Sequence, residues 1–385
     1  MPSVYLDSNA TAPADPRVLQ VIHDASLRAG ANPGSPHAEG RAARRLLEDS
    51  RELIASLLDA EPEEVIFTSG GTESINQAIF GMTAGRSGGI ALTAGEHPAV
   101  REACRVAESR GCRLELLPVD QHGLLEQAAL TDRIRSETLL TCLLLAHNET
   151  GVIQDTTAVA ALCQQTATPL LLDAVPAVGR IPVSFRHSGA VAMAFGAHKF
   201  HGPRGIGGLL LRRGITIPPM LFGGHQERGR RAGTEPVPLI AGMAEALRLA
   251  VTEMETRAQH MQQLRDYLQQ ELTAACAPAV VHGVGVRRLP NTLSIGFPGV
   301  PGEALLLNLH MEGIACSLGS ACASGSAEPA PALLAMGVTP DLCRSSVRFS
   351  LNCQNTHSEI ERVIPVIARH VARLRATEDP PGVHH

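Results

Sequence analysis

A lysine near the middle of the chain has a setting that is typical of a reactive amine. Lys199 follows an apolar run at residues 191–195 and precedes a glycine-rich stretch at residues 202–208. Lysines are rarely buried without a partner or a function, and burial lowers the pKa of the amine, which can then form an imine with an aldehyde. By itself this pattern also fits a surface lysine, so the interpretation depends on the residues that accompany it.

A carboxylate stands at the end of an earlier apolar run. Asp173 follows Leu170, Leu171 and Leu172. Alone, an acid at this position could cap the following helix. Together with Lys199 it matches the needs of a pyridine cofactor, in which a carboxylate keeps the ring nitrogen protonated and a lysine holds the aldehyde. Both side chains would lie at the carboxyl edge of the sheet, where ligands of open α/β sheets bind.

A third pattern predicts a site for an anion. The apolar run at residues 65–68 is followed by Ser69, Gly70, Gly71 and Thr72, and then by a helical pattern. Small residues at the start of a helix leave backbone N–H groups bare, and such groups bind phosphate. The alternative is an ordinary strand-to-helix turn. The lysine of a Walker nucleotide-binding loop is missing.

One cysteine lies outside any apolar pattern. Cys322 is surrounded by glycine, serine and alanine across residues 319–326, whereas free cysteines are usually small buried hydrophobes. This composition predicts an exposed loop, and a thiol with a pKa of about 8.5 needs a nearby base to ionise at neutral pH. The cysteines expected to be structural are Cys104, Cys112, Cys142, Cys163, Cys276 and Cys316.

The elements that must position these residues form an α/β pattern from about residue 15 to 250. Apolar runs alternate there with amphipathic segments, as in a parallel sheet covered by helices. The predicted strands are 65–68, 89–93, 113–117, 139–146, 170–172, 191–195 and 208–211. The predicted helices are 42–58, 73–83, 99–109, 158–165 and a continuous run over 238–275.

A smaller α+β domain is predicted after this run. It contains strand-like segments at 292–297 and 347–350 and helical segments at 302–311 and 358–375. Because strands are lost within the long helical run, a domain boundary is expected near residue 255. The predicted domains are a large one at 13–255, a small one at 1–12 and 256–375 that carries Cys322, and a disordered tail at 376–385.

Composition excludes several classes of protein. The chain has 385 residues, which suits two domains, and 44% of them are hydrophobic. A net charge of −5 and only 3% aromatic residues provide neither a basic surface nor stacking platforms, so direct nucleic-acid binding is not expected. The N-terminus has no targeting pattern and no apolar stretch is long enough for a membrane span. Nine cysteines without a CxxC pair or zinc-like spacing predict no metal site and a reducing, cytoplasmic environment.

These patterns occur in the order found in a known family. The chain resembles the cysteine desulfurases, class V aminotransferase-like enzymes of pyridoxal-phosphate (PLP) fold type I, along nearly its whole length. The matching blocks are Tyr5-Leu6-Asp7-Ser8-Asn9-Ala10-Thr11, Asn32-Pro33-Gly34-Ser35-Pro36-His37, residues 68–73, Glu96-His97-Pro98-Ala99-Val100, Asn148-Glu149-Thr150-Gly151-Val152-Ile153, Asp173, His198-Lys199, residues 226–234, Gly319-Ser320-Ala321-Cys322 and Val347-Arg348-Phe349-Ser350. The resemblance implies an α/β fold with a mainly parallel seven-stranded sheet between helices, plus the smaller α+β domain.

The resemblance also implies roles for individual residues. Lys199 would hold the cofactor and move the Cα proton of the substrate, and Asp173 would pair with the pyridinium. His97 would stack on the ring and act as the base for Cys322, and the alternative is a surface histidine that caps a helix beside Pro98. The other implied cofactor-binding residues are Gly71, Thr72, His198, Asn148 and Thr234, and the implied substrate-binding residues are Arg348, Asn148 and Asn9.

The implied reaction converts L-cysteine to L-alanine and leaves the sulfur as a persulfide on Cys322. Thr234 would reach the cofactor of a second subunit, which implies a homodimer with shared sites. A sulfur-acceptor protein would then receive the sulfur for iron–sulfur clusters, tRNA or DNA thiolation, or thio-cofactor synthesis. The sequence does not distinguish among these acceptors.

Three positions depart from the pattern of the family. The glutamine that donates to the phenolic oxygen of the cofactor is replaced by Pro176, which has no donor. The phosphate-contacting serine before the lysine is replaced by Gly196, and a glycine before the Gln-Glu-Arg-Gly run is replaced by His225. We expect altered cofactor protonation or slower turnover from the first change and weaker cofactor retention from the second. The third is either neutral or adds a titratable group near the site.

Two other kinds of function also fit these residues. A different PLP enzyme on the same fold, such as a selenocysteine lyase, another lyase or an aminotransferase, would not need Cys322. A degenerate partner subunit would bind the cofactor without forming alanine from cysteine. Substitution of Cys322 distinguishes the first alternative from a desulfurase, and an alanine assay distinguishes the second.

Overall fold

Strands and helices follow one another along the chain much as the sequence pattern predicts. The structure is a computed structural model that describes residues 3–318 and 329–378. The strands are β1 (Val4–Tyr5), β2 (Val65–Thr68), β3 (Gly89–Thr93), β4 (Arg113–Leu117), β5 (Thr138–Leu144), β6 (Leu170–Asp173), β7 (Ala192–Gly196), β8 (Gly207–Leu211), β9 (Val280–Val281), β10 (Thr292–Gly296), β11 (Ile314–Ala315), β12 (Ser317–Leu318) and β13 (Ser346–Ser350). The helices are α1 (Pro16–Arg28), α2 (Ala38–Leu57), α3 (Gly71–Thr83), α4 (Pro98–Ser109), α5 (Leu130–Arg133), α6 (Thr157–Gln165), α7 (Val237–Thr252), α8 (Met254–Ala275), α9 (Gly302–Met311), α10 (Pro331–Ala335), α11 (Pro340–Arg344) and α12 (His357–Glu378).

A seven-stranded sheet lies at the centre of the larger part of the chain. Its strand order is β2-β8-β7-β6-β5-β3-β4. Neighbouring strands from β4 to β7 run parallel, and β8 runs antiparallel to both β7 and β2. The predicted mainly parallel, seven-stranded sheet is therefore confirmed.

Alternate residues of the central strands pack on opposite faces of this sheet. Leu172 and Met193 belong to a hydrophobic cluster that α2 and α7 complete, whereas Leu171 and Ala192 belong to a cluster with α3 and α4. Successive side chains of a strand point to opposite faces, and a strand covered on both faces is apolar throughout. This explains why these runs show no alternation of polar and apolar residues.

A second sheet has its own hydrophobic cluster. Its order is β12-β13-β10-β9, and all its pairs are antiparallel. Helices α8, α9 and α12 cover it through the buried residues Leu264, Leu268, Leu305, Leu309, Ile360 and Ile367. The N-terminal strand β1 lies beside β11 in a parallel pair and contributes Val4 to the same cluster.

The helical run predicted over residues 238–275 is two helices. Helix α7 ends at Thr252 and α8 begins at Met254, with Glu253 between them in a non-helical conformation (φ −103°, ψ 10°). The Glu253 carboxylate pairs with Arg17 and Arg257, each at 2.7 Å. The prediction of one continuous helix is wrong, because apolar spacing does not reveal an ion pair with a helix far away in the chain.

Helix ends also differ from the predicted ones. Helix α2 begins at Ala38 because the His37 side chain accepts a hydrogen bond from the Gly40 N–H and caps it. Helix α12 continues to Glu378, so residues 376–378 of the predicted disordered tail are helical, and the remainder lies outside the described residues. Within residues 3–318 and 329–378, no helix has the length and apolarity that crossing a membrane requires.

Candidate active site

The end of β7 brings the lysine to the edge of the sheet. Strand β7 stops at Gly196, and a 3-10 turn over Ala197–Lys199 follows it. The Lys199 Nζ donates hydrogen bonds to the backbone carbonyls of Asn9 and Ala10, the latter at 2.9 Å. The amine is therefore held between the large sheet and the N-terminal segment.

Asp173 lies on the neighbouring strand at the same edge. It ends β6, and its backbone partner in β7 is Ala194. Its side chain is buried and accepts a hydrogen bond from the Val175 N–H at 3.0 Å through Oδ1. Burial raises the pKa of Asp173 to about 6, while the positive charge of Lys199 opposes this shift. A cationic ring N–H on the other oxygen would stabilise the ionised form.

The start of α3 forms the expected corner for an anion. No side chain caps α3 at Gly70, so the N–H groups of its first turn are open to a ligand. A Cβ on Gly71 would lie 2.5 Å from Val175 Cγ2, so the close packing of this turn against the Asp173 segment requires glycine. Gly196 lies on the other side, where an added Cβ would be 3.5 Å from the Gly71 nitrogen.

The other predicted phosphate ligands lie in different settings. His198 is half-buried, with Nδ1 3.2 Å from the Thr11 hydroxyl. Burial and then the charge of Lys199 lower the pKa of His198 to about 4, so the ring is neutral at pH 7. The Thr234 side chain is exposed. Its predicted contact with a second subunit stays a prediction.

His97 caps α4, as the alternative interpretation of this residue proposed. Its Nδ1 accepts a hydrogen bond from the Ala99 N–H at 3.1 Å. Burial, with a smaller effect from Lys199, lowers the pKa of His97 to about 4. A neutral ring whose Nδ1 accepts carries its proton on Nε2. His97 can therefore donate a hydrogen bond through Nε2, whereas the predicted role as a base for a thiol would require an imidazolium in a buried, positive setting.

Arg348 is buried at the junction of the two sheets. It lies in β13, with its side chain 2% exposed. Its Nη2 is 2.7 Å from Asp7 Oδ1, and its Nη1 donates to the Asn148 carbonyl at 3.1 Å. Nε has no hydrogen-bond partner among the described residues. A guanidinium with an open N–H can bind a carboxylate.

The amide of Asn9 is fully occupied by protein groups. Its Nδ2 donates to the Asn148 carbonyl and the Thr292 hydroxyl, both at 2.9 Å. Its Oδ1 accepts from Arg180 at 2.8 Å and from Asn291 at 3.0 Å. The predicted direct contact of Asn9 with substrate would break one of these bonds, so the geometry favours a positioning role.

Arg180 is a residue of the site that the sequence analysis missed. It is buried, and it donates to Asn9 and to the Ser8 carbonyl at 2.9 Å. Burial, followed by the charge of Arg348, lowers the pKa of Arg180 to about 10. Its Nη1 also reaches the carbonyl of Pro176 at 3.3 Å. Since Arg180 stands alone between Gly179 and Ile181 in the sequence, no local pattern marks it.

A buried ion pair anchors the segment that carries Thr234. Glu227 accepts from Arg51 at 2.8 and 2.9 Å and from the Phe67 N–H at 2.9 Å. Glu227 has a positive φ of 48°, a conformation rare for residues other than glycine. His225, which the sequence analysis singled out, is exposed in front of this segment.

A second ion pair holds the same segment against the anion corner. Arg231 pairs with Glu73 of the first turn of α3 at 2.9 Å. The segment is thus fixed both to α2, through Arg51, and to α3. The block at residues 226–234 is visible in the sequence, but its ion pairs are not, because they join residues that are far apart in the chain.

Cys322 lies outside the described residues. The strand that precedes it, β12, pairs with β13 so that Ser317 lies opposite Arg348. The chain therefore leaves the described part directly beside the arginine. Cys316 is a poor nucleophile, because burial raises the pKa of its thiol to about 12, which agrees with the structural role predicted for it.

Comparison with known proteins identifies the family. The family model of aminotransferase class-V matches residues 4–363. The chain belongs to this family. Among its class-V relatives, a cysteine desulfurase of Trichormus azollae is 40% identical over 98% of this chain and 94% of the relative.

Solved structures agree with this assignment. A NifS-like protein superposes with a TM-score of 0.90 at 34% identity and covers 97% of this chain and 100% of its own. SspA, solved in complex with cysteine, has a TM-score of 0.81 at 26% identity and covers 91% of this chain and 99% of its own. The predicted family and the predicted fold type are confirmed.

Proposed function

We propose that this protein is a PLP-dependent cysteine desulfurase that converts L-cysteine to L-alanine and keeps the sulfur as a persulfide on Cys322. The observation that carries the proposal is that Asp173 ends β6 and Lys199 follows the adjacent strand β7. Gly71 at the open start of α3 packs against Val175 of the Asp173 segment. Lys199 contacts Asn9, whose side chain shares the Asn148 carbonyl with Arg348. The relatives named cysteine desulfurase support the reaction, and the cysteine complex of SspA supports the substrate.

The residues of the site fit the cofactor. Asp173 would pair with the ring nitrogen, and Lys199 would bind the aldehyde. The phosphate would lie against Gly71, Thr72 and His198, with Asn148 beside the ring. PLP, when bound, supplies an electron sink for charge that develops at the substrate Cα.

The protein's own groups would carry the proton and sulfur steps. Arg348 would bind the substrate carboxylate, and the Lys199 amine would take the Cα proton. The Cys322 thiolate would attack the substrate sulfur, so that a sulfur–sulfur bond forms, the Cβ–sulfur bond breaks and its electron pair stays with the organic fragment. Proton transfer to that fragment would then yield alanine: Lys199 would return the proton that it took from Cα, and the proton that Cys322 lost on ionising would balance the one gained at Cβ. His97 would take part as a hydrogen-bond donor through its Nε2–H.

Arrangements beyond one chain belong to the proposal as well. The exposure of Thr234 supports a homodimer in which this residue completes the phosphate site of the second subunit. We propose a large domain at 13–255 and a small domain at 1–12 and 256–375, a division that follows the two separate hydrophobic clusters. A sulfur-acceptor protein and a cytoplasmic location complete the proposal.

The test is a cysteine assay with two products. The PLP-loaded protein is incubated with L-cysteine and a reducing thiol, and both alanine and sulfide are measured beside Cys322→Ala and, as a matched control, Cys316→Ala. We expect Cys322→Ala to abolish both products and Cys316→Ala to retain them. Full activity of Cys322→Ala would indicate a lyase, and PLP binding without any alanine would indicate a degenerate partner subunit.

A further inference from the structure

Asp7 forms an ion pair with Arg348, the arginine that would bind the substrate carboxylate. Its Oδ1 is 2.7 Å from Arg348 Nη2, and the two side chains are 18% and 2% exposed. The same oxygen accepts a hydrogen bond from the Ser317 hydroxyl at 2.8 Å. Nothing in the reaction described above uses this carboxylate.

The contact leaves one edge of the guanidinium half occupied. A carboxylate binds arginine most strongly through two parallel N–H···O bonds, and the Nε–Nη2 edge offers such a pair. Asp7 holds Nη2 with a single oxygen, whereas Nε is buried and has no partner among the described residues. The Asn148 carbonyl takes Nη1 on the opposite side. A substrate carboxylate that binds this edge must therefore share Nη2 with Asp7 or displace it.

The negative charge of Asp7 affects how tightly Arg348 can bind a substrate carboxylate. A buried guanidinium without a counter-ion is strongly destabilised, so Asp7 stabilises the site when no substrate is bound. Once a carboxylate arrives, two anions share one buried cation, and their repulsion weakens binding. L-cysteine and L-alanine carry the same α-carboxylate, so the effect applies to substrate and product alike.

We propose that Asp7 is a resident counter-ion of Arg348 that weakens the binding of the α-carboxylate and thereby speeds the release of alanine. The inference rests on the proposed function in that it assigns the α-carboxylate to Arg348. Ser317 modulates Asp7, because its hydroxyl takes up part of the negative charge on Oδ1. Loss of that hydrogen bond strengthens the pairing of Asp7 with Arg348 and weakens substrate binding further.

Two variants change the affinity in opposite directions. Asp7→Asn removes the competing charge at nearly constant volume, and we expect the Kd of L-alanine for the PLP-loaded protein to fall about tenfold. Ser317→Ala keeps the charge and removes its donor, and we expect the Kd to rise by about twofold to threefold. Calorimetry measures both values, and L-alanine methyl ester, which lacks the carboxylate, serves as the control ligand whose affinity neither variant changes.

The outcomes decide the proposal. A folded Asp7→Asn protein that binds L-alanine as weakly as the wild type, or more weakly, overturns it, because Asp7 would then merely orient Arg348. If Asp7→Asn does not fold, Ser317→Ala decides, and unchanged or tighter binding overturns the proposal. A protein that shows both predicted shifts but forms no persulfide on Cys322 supports the role of Asp7 and refutes the desulfurase function.

Discussion

Burial sets the protonation of several side chains around the site. His97 is neutral with its proton on Nε2, since Nδ1 is occupied by the Ala99 N–H. Glu96, the residue before it, is fully buried and receives hydrogen bonds from the Thr93 hydroxyl at 2.8 Å and the Leu144 N–H at 3.1 Å. Desolvation outweighs these bonds and raises the pKa of Glu96 to about 8. This carboxyl is therefore protonated at neutral pH.

Glu96 makes the stability of the protein pH-dependent. Its pKa rises from 4.5 in the unfolded chain to about 8 in the folded one, so unfolding between these values releases a proton. The stabilising contribution is complete below pH 4.5 and is lost as the pH rises through 8. Glu96→Gln keeps the acceptor oxygen without the titration, so its free energy of unfolding should rise relative to wild type from pH 5 to 8, by up to about 1.4 kcal/mol per pH unit. Urea denaturation at several pH values measures this, and parallel curves for the two proteins would contradict it.

Gly196 is the departure from the family pattern that the structure explains best. An added Cβ would lie 3.5 Å from the Gly71 nitrogen, which is an ordinary contact, and φ at this position is −142°. Gly196→Ser therefore fits and places a hydroxyl beside the anion corner. A hydrogen bond to a charged group contributes roughly 1.5–3 kcal/mol, so the serine variant should retain more PLP after long dialysis. Gly196→Ala adds the same Cβ without the hydroxyl, and equal retention by both variants would refute the explanation.

The sequence predicted individual residues only where a local pattern surrounds them. Asp173 ends one apolar run and Lys199 follows another, and the structure places Asp173 at the end of β6 and Lys199 in the turn after the adjacent strand β7. Arg180 and the pairing of Asp7 with Arg348 were not predicted, since the partners are far apart in the chain. The tautomer of His97 also had to be read from a hydrogen bond, which no residue type determines.

At the scale of elements, helix α2 fixes the segment at residues 226–234. Arg51 of this helix is buried and lies over the Phe67 ring, with its guanidinium carbon 4.5 Å from the ring centroid, while it binds Glu227. Glu227 also accepts from the Phe67 N–H in β2. A helix, a strand and a loop thus meet at one carboxylate, and the anion corner at the start of α3 lies directly after that strand.

Loss of this carboxylate should destabilise the protein markedly. Removal of one partner of a buried ion pair costs about 3–5 kcal/mol, and we expect Glu227→Gln to lie at the low end because Glu48 still pairs with Arg51 at 3.0 Å. The matched control is Glu63→Gln, whose pair with Arg228 spans 3.7 Å between side chains that are both more than half exposed and contributes less than about 1 kcal/mol. Urea denaturation compares the two variants, and equal small losses would show that the buried pair does not anchor the segment.

Elements were predicted where periodicity alone defines them. The apolar runs of β2, β3 and β5 to β8 match strands that are buried throughout, because both faces of the sheet are covered there. The edge strand β4 is only partly buried. The break at Glu253 and the early start of α2 at Ala38 were missed, since an ion pair and a histidine cap decide them. Such contacts depend on the folded chain and leave no trace in the spacing of apolar residues.

At the scale of the whole molecule, the N-terminal segment joins the two sheets at the active site. Asp7 bridges to Ser350 in the smaller sheet, and Asn9 links the Asn148 carbonyl to Thr292. The Asn9 carbonyl in turn receives a hydrogen bond from Lys199. The N-terminal residues Asp7 and Asn9 therefore connect the lysine to the carboxylate-binding arginine. Because Lys199 follows a strand of the large sheet and Arg348 lies in the smaller one, the site needs both sheets.

The central claim is that Cys322 accepts sulfur from a substrate held at Lys199. The most direct measurement is mass spectrometry of the PLP-loaded protein after a brief exposure to L-cysteine without reductant, with the peptide containing Cys322 analysed. We predict that this peptide gains the mass of one sulfur atom, that the gain disappears on reduction, and that Lys199→Ala shows no gain. An unmodified Cys322 peptide in a protein that nevertheless forms alanine from cysteine would contradict the account.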